Sequence, residues 1–323
     1  MAGKNIVIIY GGDDWSVETP FKDSPETGRS FEDFYAYAKQ RGISTYRASI
    51  DWYDDTSGTF LKAWTFDENT WVHIEQPVRP DVVFDKTAGK RDYALFDTKR
   101  SMLEKFPVVN SPLFRTQFDN KLSQYLAFSD FMPVSFLTED DVQLAATFEK
   151  IRTEKVVMKE VYGSGGKEVT IGGKSLTTKG TLTYPLLVQE FVETAGIPRF
   201  SNPGDIADLR LVYVSGKLVY ALSRIAKRGS LFTNFHQGAS AVLVPADKIP
   251  EAALQAAEGI NKKLSLFDNI NYSLDFMFDT DGCPVFIEMN TTPGFDLLRI
   301  VGTPEIKERY YSELLDSFFK KNA

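Results

Sequence analysis

A chain of 323 residues, 43% of them apolar and 13% aromatic, is long enough for two or three modules with their own cores and too rich in aromatics to be disordered. Its 37 basic residues against 44 acidic ones give a net charge of −7, which argues against nucleic acid as a partner. The single cysteine, Cys283, excludes an internal disulfide or a thiolate metal cluster and points to a reducing cytoplasm. The apolar run Ile6 to Tyr10 falls far short of the roughly 20 residues of a membrane span, so no membrane partner is expected.

The first third alternates strand and helix patterns. Lys4 to Tyr10 reads as a buried strand, Gly11 to Gly28 as a polar loop, Ser30 to Gln40 as an amphipathic helix, and Ile43 to Ala48 and Pro80 to Phe84 as further strands. Asn120 caps a helix that runs to about Phe128. From Lys155 the pattern becomes strand, Gly-rich turn, strand: Val156 to Lys159, Tyr162-Gly-Ser-Gly-Gly-Lys167, then Glu168 to Ile171, with another strand at Leu186 to Val192. A hairpin is predicted at Leu209 to Val214 and Lys217 to Ser223, a helix at Pro250 to Leu264, strands at Tyr272 to Phe278 and Pro284 to Met289, and a last helix from Glu305. These elements describe an α/β (α+β) chain in three parts: 1–110, 111–195 with the Gly-rich flap, and 196–323.

The strands at 272–278 and 284–289 carry the most chemistry. If Asp281-Gly282 form a two-residue turn, Asp275 faces Glu288, Leu274 faces Met289, Phe276 faces Ile287 and Phe278 faces Val285, leaving one face wholly apolar. On a non-hydrogen-bonded pair the two acids have Cα atoms about 4.5 Å apart, where like charges repel. A shared divalent cation relieves that repulsion. Asn290 points to the same side, and a set of Asp, Glu and Asn oxygens suits Mg²⁺, with Mn²⁺ as the alternative ion. The bland reading is an acidic sheet face pointing into water.

Phosphates have candidate sites as well. Lys159 ends a strand, and the glycines at 163, 165 and 166 would let main-chain N–H groups converge on an anion, although the spacing matches neither a Walker A loop nor a dinucleotide fingerprint. From Leu209 to Ala246 there is no acidic residue but there are five basic ones: Arg210, Lys217, Arg224, Lys227 and Arg228. The Ser215-Gly216 turn would set Arg210 opposite Ala221 and gather Arg210, Ser223 and Arg224 at one end of the ribbon. In Leu186-Leu-Val-Gln189-Glu190-Phe191-Val192, the carboxylate and neighbouring main chain could read an adenine edge. A flexible hairpin loop and a solvated basic face are the plain alternatives.

In chain order, Lys121, Lys159, the Gly-Ser-Gly-Gly flap, Gln189-Glu190-Phe191-Val192, Asp208-Leu-Arg210, Ser223-Arg224, Asn234-Phe-His236, Asp275 and Glu288-Met-Asn290-Thr-Thr-Pro-Gly294 resemble an ATP-grasp ligase. The resemblance is to the RimK-like branch that holds glutathione synthetase and the ribosomal-protein glutamate ligases, and it covers roughly Asn110 to Asp296. It implies an ATP-grasp fold preceded by a parallel α/β domain, with ATP and one or two Mg²⁺ ions as cofactors. Lys121 and Lys159 would contact the phosphates, Ser164 and Gly165 would cover them, and Gln189, Glu190, Phe191 and Val192 would hold adenine. Asp208 would bind ribose, Asn234 would belong to the nucleotide site, and Asp275, Glu288 and Asn290 would ligate the metal. Arg224, Arg210 and Lys159 would be the catalytic cations.

The implied reaction joins a carboxylate to an amine through an acyl phosphate, and the partners are a small-molecule carboxylate and amine or a peptide or protein acceptor, with oligomerisation open. Phe232 and Gln237 replace basic residues with which these ligases hold an acidic substrate. The opening Ile8-Ile-Tyr-Gly-Gly12 and the 290–294 run also resemble D-alanine:D-alanine ligases, but Ser273 stands where those enzymes place an arginine. A nucleotide-binding module without ligase chemistry is the alternative of a different class.

Overall fold

A computed structural model describes residues 4–89, 92–163, 168–174 and 182–320. Its first part runs β1 (Lys4–Tyr10), α1 (Pro25–Gln40), β2 (Ile43–Ser49), β3 (Tyr53–Asp54), β4 (Thr59–Phe60), β5 (Ala63–Asp67), β6 (Thr70–Ile74), β7 (Val82–Asp85), α2 (Asp92–Lys105) and β8 (Val108–Val109). Strands β2, β1, β7 and β8 pair in parallel in that order, and β5 and β6 extend the sheet antiparallel beyond β2. Both faces of β1 are covered, which is why Ile6 to Ile9 read as an unbroken apolar run. Helix α1 starts earlier than its apolar stripe suggests, because Pro25 fits the first helical position; Phe31, Phe34, Tyr35 and Ala38 form the buried stripe at helical spacing.

The chain continues with α3 (Pro112–Phe118), α4 (Lys121–Phe128), β9 (Ser135–Thr138), α5 (Asp141–Lys150), β10 (Lys155–Glu160), β11 (Val169–Gly173) and β12 (Leu186–Glu190). As expected, Asn120 caps α4, its side chain accepting from the N–H of Ser123 at 3.1 Å. The four strands form an antiparallel sheet in the order β11-β10-β12-β9, and α5 covers the face that carries Val156, Met158, Leu186 and Val188.

The remaining elements are β13 (Ala207–Val214), β14 (Lys217–Ile225), β15 (Ser240–Val244), α6 (Glu251–Leu264), β16 (Asn271–Phe278), β17 (Pro284–Asn290), α7 (Asp296–Val301) and α8 (Pro304–Phe318). Their five strands form an antiparallel sheet, β15-β14-β13-β16-β17. One face, with Leu209, Leu211, Leu274 and Phe276, packs on α6 and on Phe114, Phe118 and Phe128 from α3 and α4. The other face divides. Val212, Val214 and Leu222 join the core that the first sheet shares with α1 and α8, whereas Asp208, Arg210, Arg224 and Asp275 remain polar.

Two bulges revise the predicted registers. In β13–β14 an irregularity at Val212/Tyr213 leaves Val219 unpaired, so Arg210 faces Leu222 rather than Ala221, and Asp208 faces Arg224. In β16–β17 the connection spans Asp279 to Cys283 instead of two residues, so Phe278 pairs with Pro284 and Phe276 with Phe286, neither as predicted. An irregularity between Asp275 and Phe276 then inserts Ile287 and restores the expected pairs Asp275–Glu288 and Leu274–Met289. Among the described residues no helix is long and apolar enough to cross a membrane.

Asn110 ties the sheets together. It is fully buried with φ of 59°, its Nδ2 donates to the carbonyl of Thr291 at 2.8 Å, and its Oδ1 accepts from the N–H of Asn271 at 2.7 Å. Replacing it with Ala strands two buried backbone groups and forces Ala into the left-handed region. Asn110→Ala should lower the unfolding free energy by about 2–4 kcal/mol, read from urea denaturation.

Candidate active site

Where the sheets meet, two chambers share a wall. The smaller, about 100 Å³, is a slot between the second and third sheets lined by Val157, Lys159, Ile171, Gln189, Glu190, Phe191, Val192, Met277 and Ile287. The larger, about 530 Å³, lies against the carboxyl end of β7, the start of α4 and the 288–297 segment. Lys121, Gly163, Glu168, Arg224, Asn234 and Glu288 line both. Nearly every described residue singled out from the sequence therefore falls in one continuous site. Ser164 and Gly165 lie outside the described residues.

The second bulge explains the character of the slot. By adding Ile287, it places Phe286 in the core beside Phe276 and turns Ile287 towards the slot, opposite the side chains of β10 and β12. Gln189 is held by a hydrogen bond from its Nε2 to Ser135 Oγ at 3.0 Å. Glu190 Oε1 accepts from the N–H of Arg152 at 3.0 Å, and the N–H of Phe191 donates to Thr153 Oγ1 at 3.2 Å, so one expected main-chain donor is already used.

The centre is a buried charge network. Arg210 grips Asp275 with two bonds of 2.8 and 2.7 Å, and Arg224 grips Asp208 with two of 2.7 and 2.6 Å while also donating to Asp275 at 2.7 Å. Thr233 Oγ1 donates to Asp208 as well. Burial alone would raise the pKa of Asp275, but the guanidiniums of Arg210 and Arg224 outweigh it and hold the carboxyl below the usual range. For Asp208, burial, reinforced by the charge of Asp275, wins over Arg224 and pushes the pKa up. Both arginines were expected to meet anions, and in this structure those anions are the protein's own carboxylates.

Lys159 Nζ donates to the carbonyl of Ile287 at 3.3 Å and Lys121 Nζ to that of Gly163 at 2.8 Å. Burial pushes the Lys159 pKa down to about 8, with Glu288 opposing the shift and Lys121 adding to it. The Glu288 carboxylate has no hydrogen-bond or ion-pair partner among the described residues, and Asn290 Oδ1 accepts from the N–H of Thr292 at 3.0 Å. Asp275, Glu288 and Asn290 offer only hard oxygen donors, a set that fits Mg²⁺ and not a thiolate- or imidazole-bound metal. Among the described residues no three His, Cys, Asp or Glu side chains gather into a metal site. A cation held here would therefore draw on the amide oxygen and on ligands from water or phosphate.

Sequence reasoning missed the far wall of the larger chamber. Lys86 and Thr87 follow β7, Arg115 and Asp119 flank the end of α3, and Asp296 opens α7. Arg115 donates to Thr291 Oγ1 at 2.7 Å and to the carbonyl of Thr87, and it pairs with Asp119, so it positions the loop after Asn290. One signal was available: polar residues directly after a buried parallel strand lie at the edge where ligands of α/β sheets bind.

Arg224 and Asp208 are only 5% and 6% exposed, so removing one member leaves a buried charge uncompensated. Arg224→Met should cost about 3–5 kcal/mol of stability in urea denaturation, and adding Asp208→Asn should recover part of that loss.

A family model described as the RimK-like ATP-grasp domain matches residues 123–308. A probable alpha-L-glutamate ligase of Thioalkalivibrio sulfidiphilus is 26% identical over 201 residues, covering 59% of this chain and 59% of that protein. One from Vibrio vulnificus is 30% identical over 139 residues, covering 43% of this chain and 39% of its own length. The chain thus spans less than two thirds of these relatives. The D-alanyl-alanine synthetase A of Vibrio cholerae superimposes with a TM-score of 0.64 at 14% identity over 98% of both chains. A Chryseobacterium gregarium RiPP-associated ATP-grasp ligase, solved with ADP and a leader and core peptide, gives 0.60 at 15% identity over 99% of this chain and 98% of its own. At such identities the likeness establishes the ATP-grasp fold alone. With more than half its length matched by the family model, the chain belongs to the RimK-like ATP-grasp family.

Proposed function

We propose that the protein is an ATP- and Mg²⁺-dependent carboxylate–amine ligase. The observation that carries this reading is the junction of an apolar slot with a charged chamber at Lys121, Arg224 and Glu288, whose carboxylate has no partner among the described residues. Adenine would lie in the slot between β10, β12 and Ile287, and Lys121 and Lys159 would contact the phosphates. Glu288, Asp275 and Asn290 would hold Mg²⁺, which when bound would offset phosphate charge. In the first step an oxygen of the acid attacks the γ-phosphorus and the bond to ADP breaks. In the second the amine nitrogen attacks the acyl carbon, inorganic phosphate leaves and the nitrogen loses a proton. Both steps concentrate negative charge, and fixed cations at its edge are the chemistry such a transfer needs.

The module limits proposed are 1–110, 111–195 and 196–323, each holding one of the three large sheets. The volume of the larger chamber, about 530 Å³, lies in the range of sites for drug-sized ligands and supports a peptide or protein segment as acceptor. The alpha-L-glutamate ligase names of the relatives support amino-acid chemistry at the same place.

Glu288→Gln keeps the shape and removes the charge. It should lower ADP release by at least about a hundredfold in a coupled assay over carboxylate and amine pools, and EDTA should do the same to the wild type. A binding module without ligase chemistry would instead show no ADP release with any pool.

A second expectation concerns pH. Lys159 meets phosphate as a cation only while protonated, and burial pushes its pKa down to about 8. Bound phosphate raises that value, so Mg·ATP affinity should be steady below pH 8 and weaken above it. Lys159→Arg should remove the alkaline decline, and Lys159→Met should weaken binding at every pH, both read by calorimetry.

A further inference from the structure

The larger chamber contains a cation to which the ligase reading gives no task. Among the described residues five basic side chains line it: Lys86, Arg115, Lys121, Arg210 and Arg224. Three are neutralised by carboxylates, Arg115 by Asp119, Arg210 by Asp275, and Arg224 by Asp208 and Asp275. Lys121 stands where the chambers join, on the phosphate side. Lys86 is different. Among the described residues its ammonium has no ion-pair partner, and its hydrogen bonds are two long ones, both 3.3 Å, to the carbonyls of Thr292 and Pro293.

Its surroundings make that charge costly. The rings of Phe84, Phe295 and Phe31 lie 5.2, 5.6 and 5.8 Å from Nζ and give the half-buried ammonium a weak cation–π attraction that does not replace a counter-charge. Among the described residues the charged groups that face it are Arg115 and Asp119 from α3 and its end, Asp85 at the end of β7, and Asp296 from α7; none of these carboxylates is an ion-pair partner of Lys86. Burial first, and Arg115 second, push its pKa down to about 7. A residue needed only to bridge two carbonyls could be a neutral donor with no charge to compensate. An ammonium that lines a chamber with no carboxylate partner among the described residues is what an incoming anion would satisfy.

We propose that Lys86 determines specificity by binding a substrate carboxylate other than the one that reacts. This rests on the ligase reading above. The carboxylate has two chemical sources, a second acid group on the carboxylate substrate or the α-carboxylate of an amino-acid amine, and two probe pairs separate them. Glutarate against butyrate differs by the second acid group, and glycine against glycinamide by the α-carboxylate.

The experiment titrates each probe into the full chain saturated with ADP and MgCl₂ and follows the heat. At pH 6.5 the wild type should bind the carboxylate-bearing member of one pair at least about tenfold more tightly than its partner, the scale of a charge-assisted hydrogen bond. That preference should decline as pH rises above 7, because the neutral amine no longer attracts the anion. Lys86→Met should abolish the preference, and Lys86→Arg should retain it at pH 8. Retained ADP binding by either variant shows that it is folded, and the pair that shows the preference identifies the source. A wild type that fails to distinguish the members of either pair, including by binding none of them, overturns the proposal, as does a preference that survives Lys86→Met. ADP release from ATP is measured separately. A Lys86-dependent preference without turnover under any acid and amine removes the ligase reading alone, and turnover without that preference removes the Lys86 assignment alone.

Discussion

A carboxylate in the middle of a sheet is an expensive object, and Asp275 stays ionised because two guanidiniums close on it from neighbouring strands. The rest of the site depends on that contact. Arg210 comes from β13 and Arg224 from β14, and Arg224 reaches Asp275 across β13 while also gripping Asp208, so three adjacent strands are locked at one end. The lock determines where the next strand, β17, presents Glu288, whose carboxylate has no hydrogen-bond or ion-pair partner among the described residues, while Asp275 Oδ1 accepts only from Arg210. The protein's own cations thus fix one acid of the pair in place beside the other.

Bulges decide which side chains face the ligand. A regular hairpin after Ser215-Gly216 would set Arg210 opposite Ala221 and pull Arg224 away from Asp208; the unpaired Val219 brings Asp208 and Arg224 into line. In β17 the inserted Ile287 exchanges a core position for a place in the apolar slot, and Phe286 takes the core position instead. Each extra residue costs a little ladder bonding and changes the face on which chemistry sits.

What could be read beforehand follows from how local each signal is. The strand of β1, the stripe of α1 and the cap at Asn120 are encoded within a few residues, and all were legible. The facing of Asp275 and Glu288 was legible for a partly mistaken reason: the connection at 279–283 shifts the register one way, the bulge shifts it back, and the two cancel at that pair. The β5–β6 hairpin was missed because its turn uses Glu68 and Asn69, both at positive φ, instead of an Asn-Gly or Asp-Gly signature. Of the chamber wall made by Lys86, Arg115, Asp119 and Asp296, only the polar residues after β7 carried a local signal, since tertiary packing alone brings the other segments to it.

The helix that closes the fold has its own consequence. In α8, Phe318 packs on Phe84 of β7 at 5.3 Å and Tyr310 on Tyr220 of β14 at 5.4 Å, so one amphipathic helix covers apolar surface of two sheets, the first of them built long before it. The first sheet and α1 are synthesised long before α8, so the part of their shared apolar surface that α8 covers waits for that helix. Loop closure over such a separation is slow, and an exposed apolar face invites association in the meantime. Docking of α8 is therefore the long-range step that completes this core.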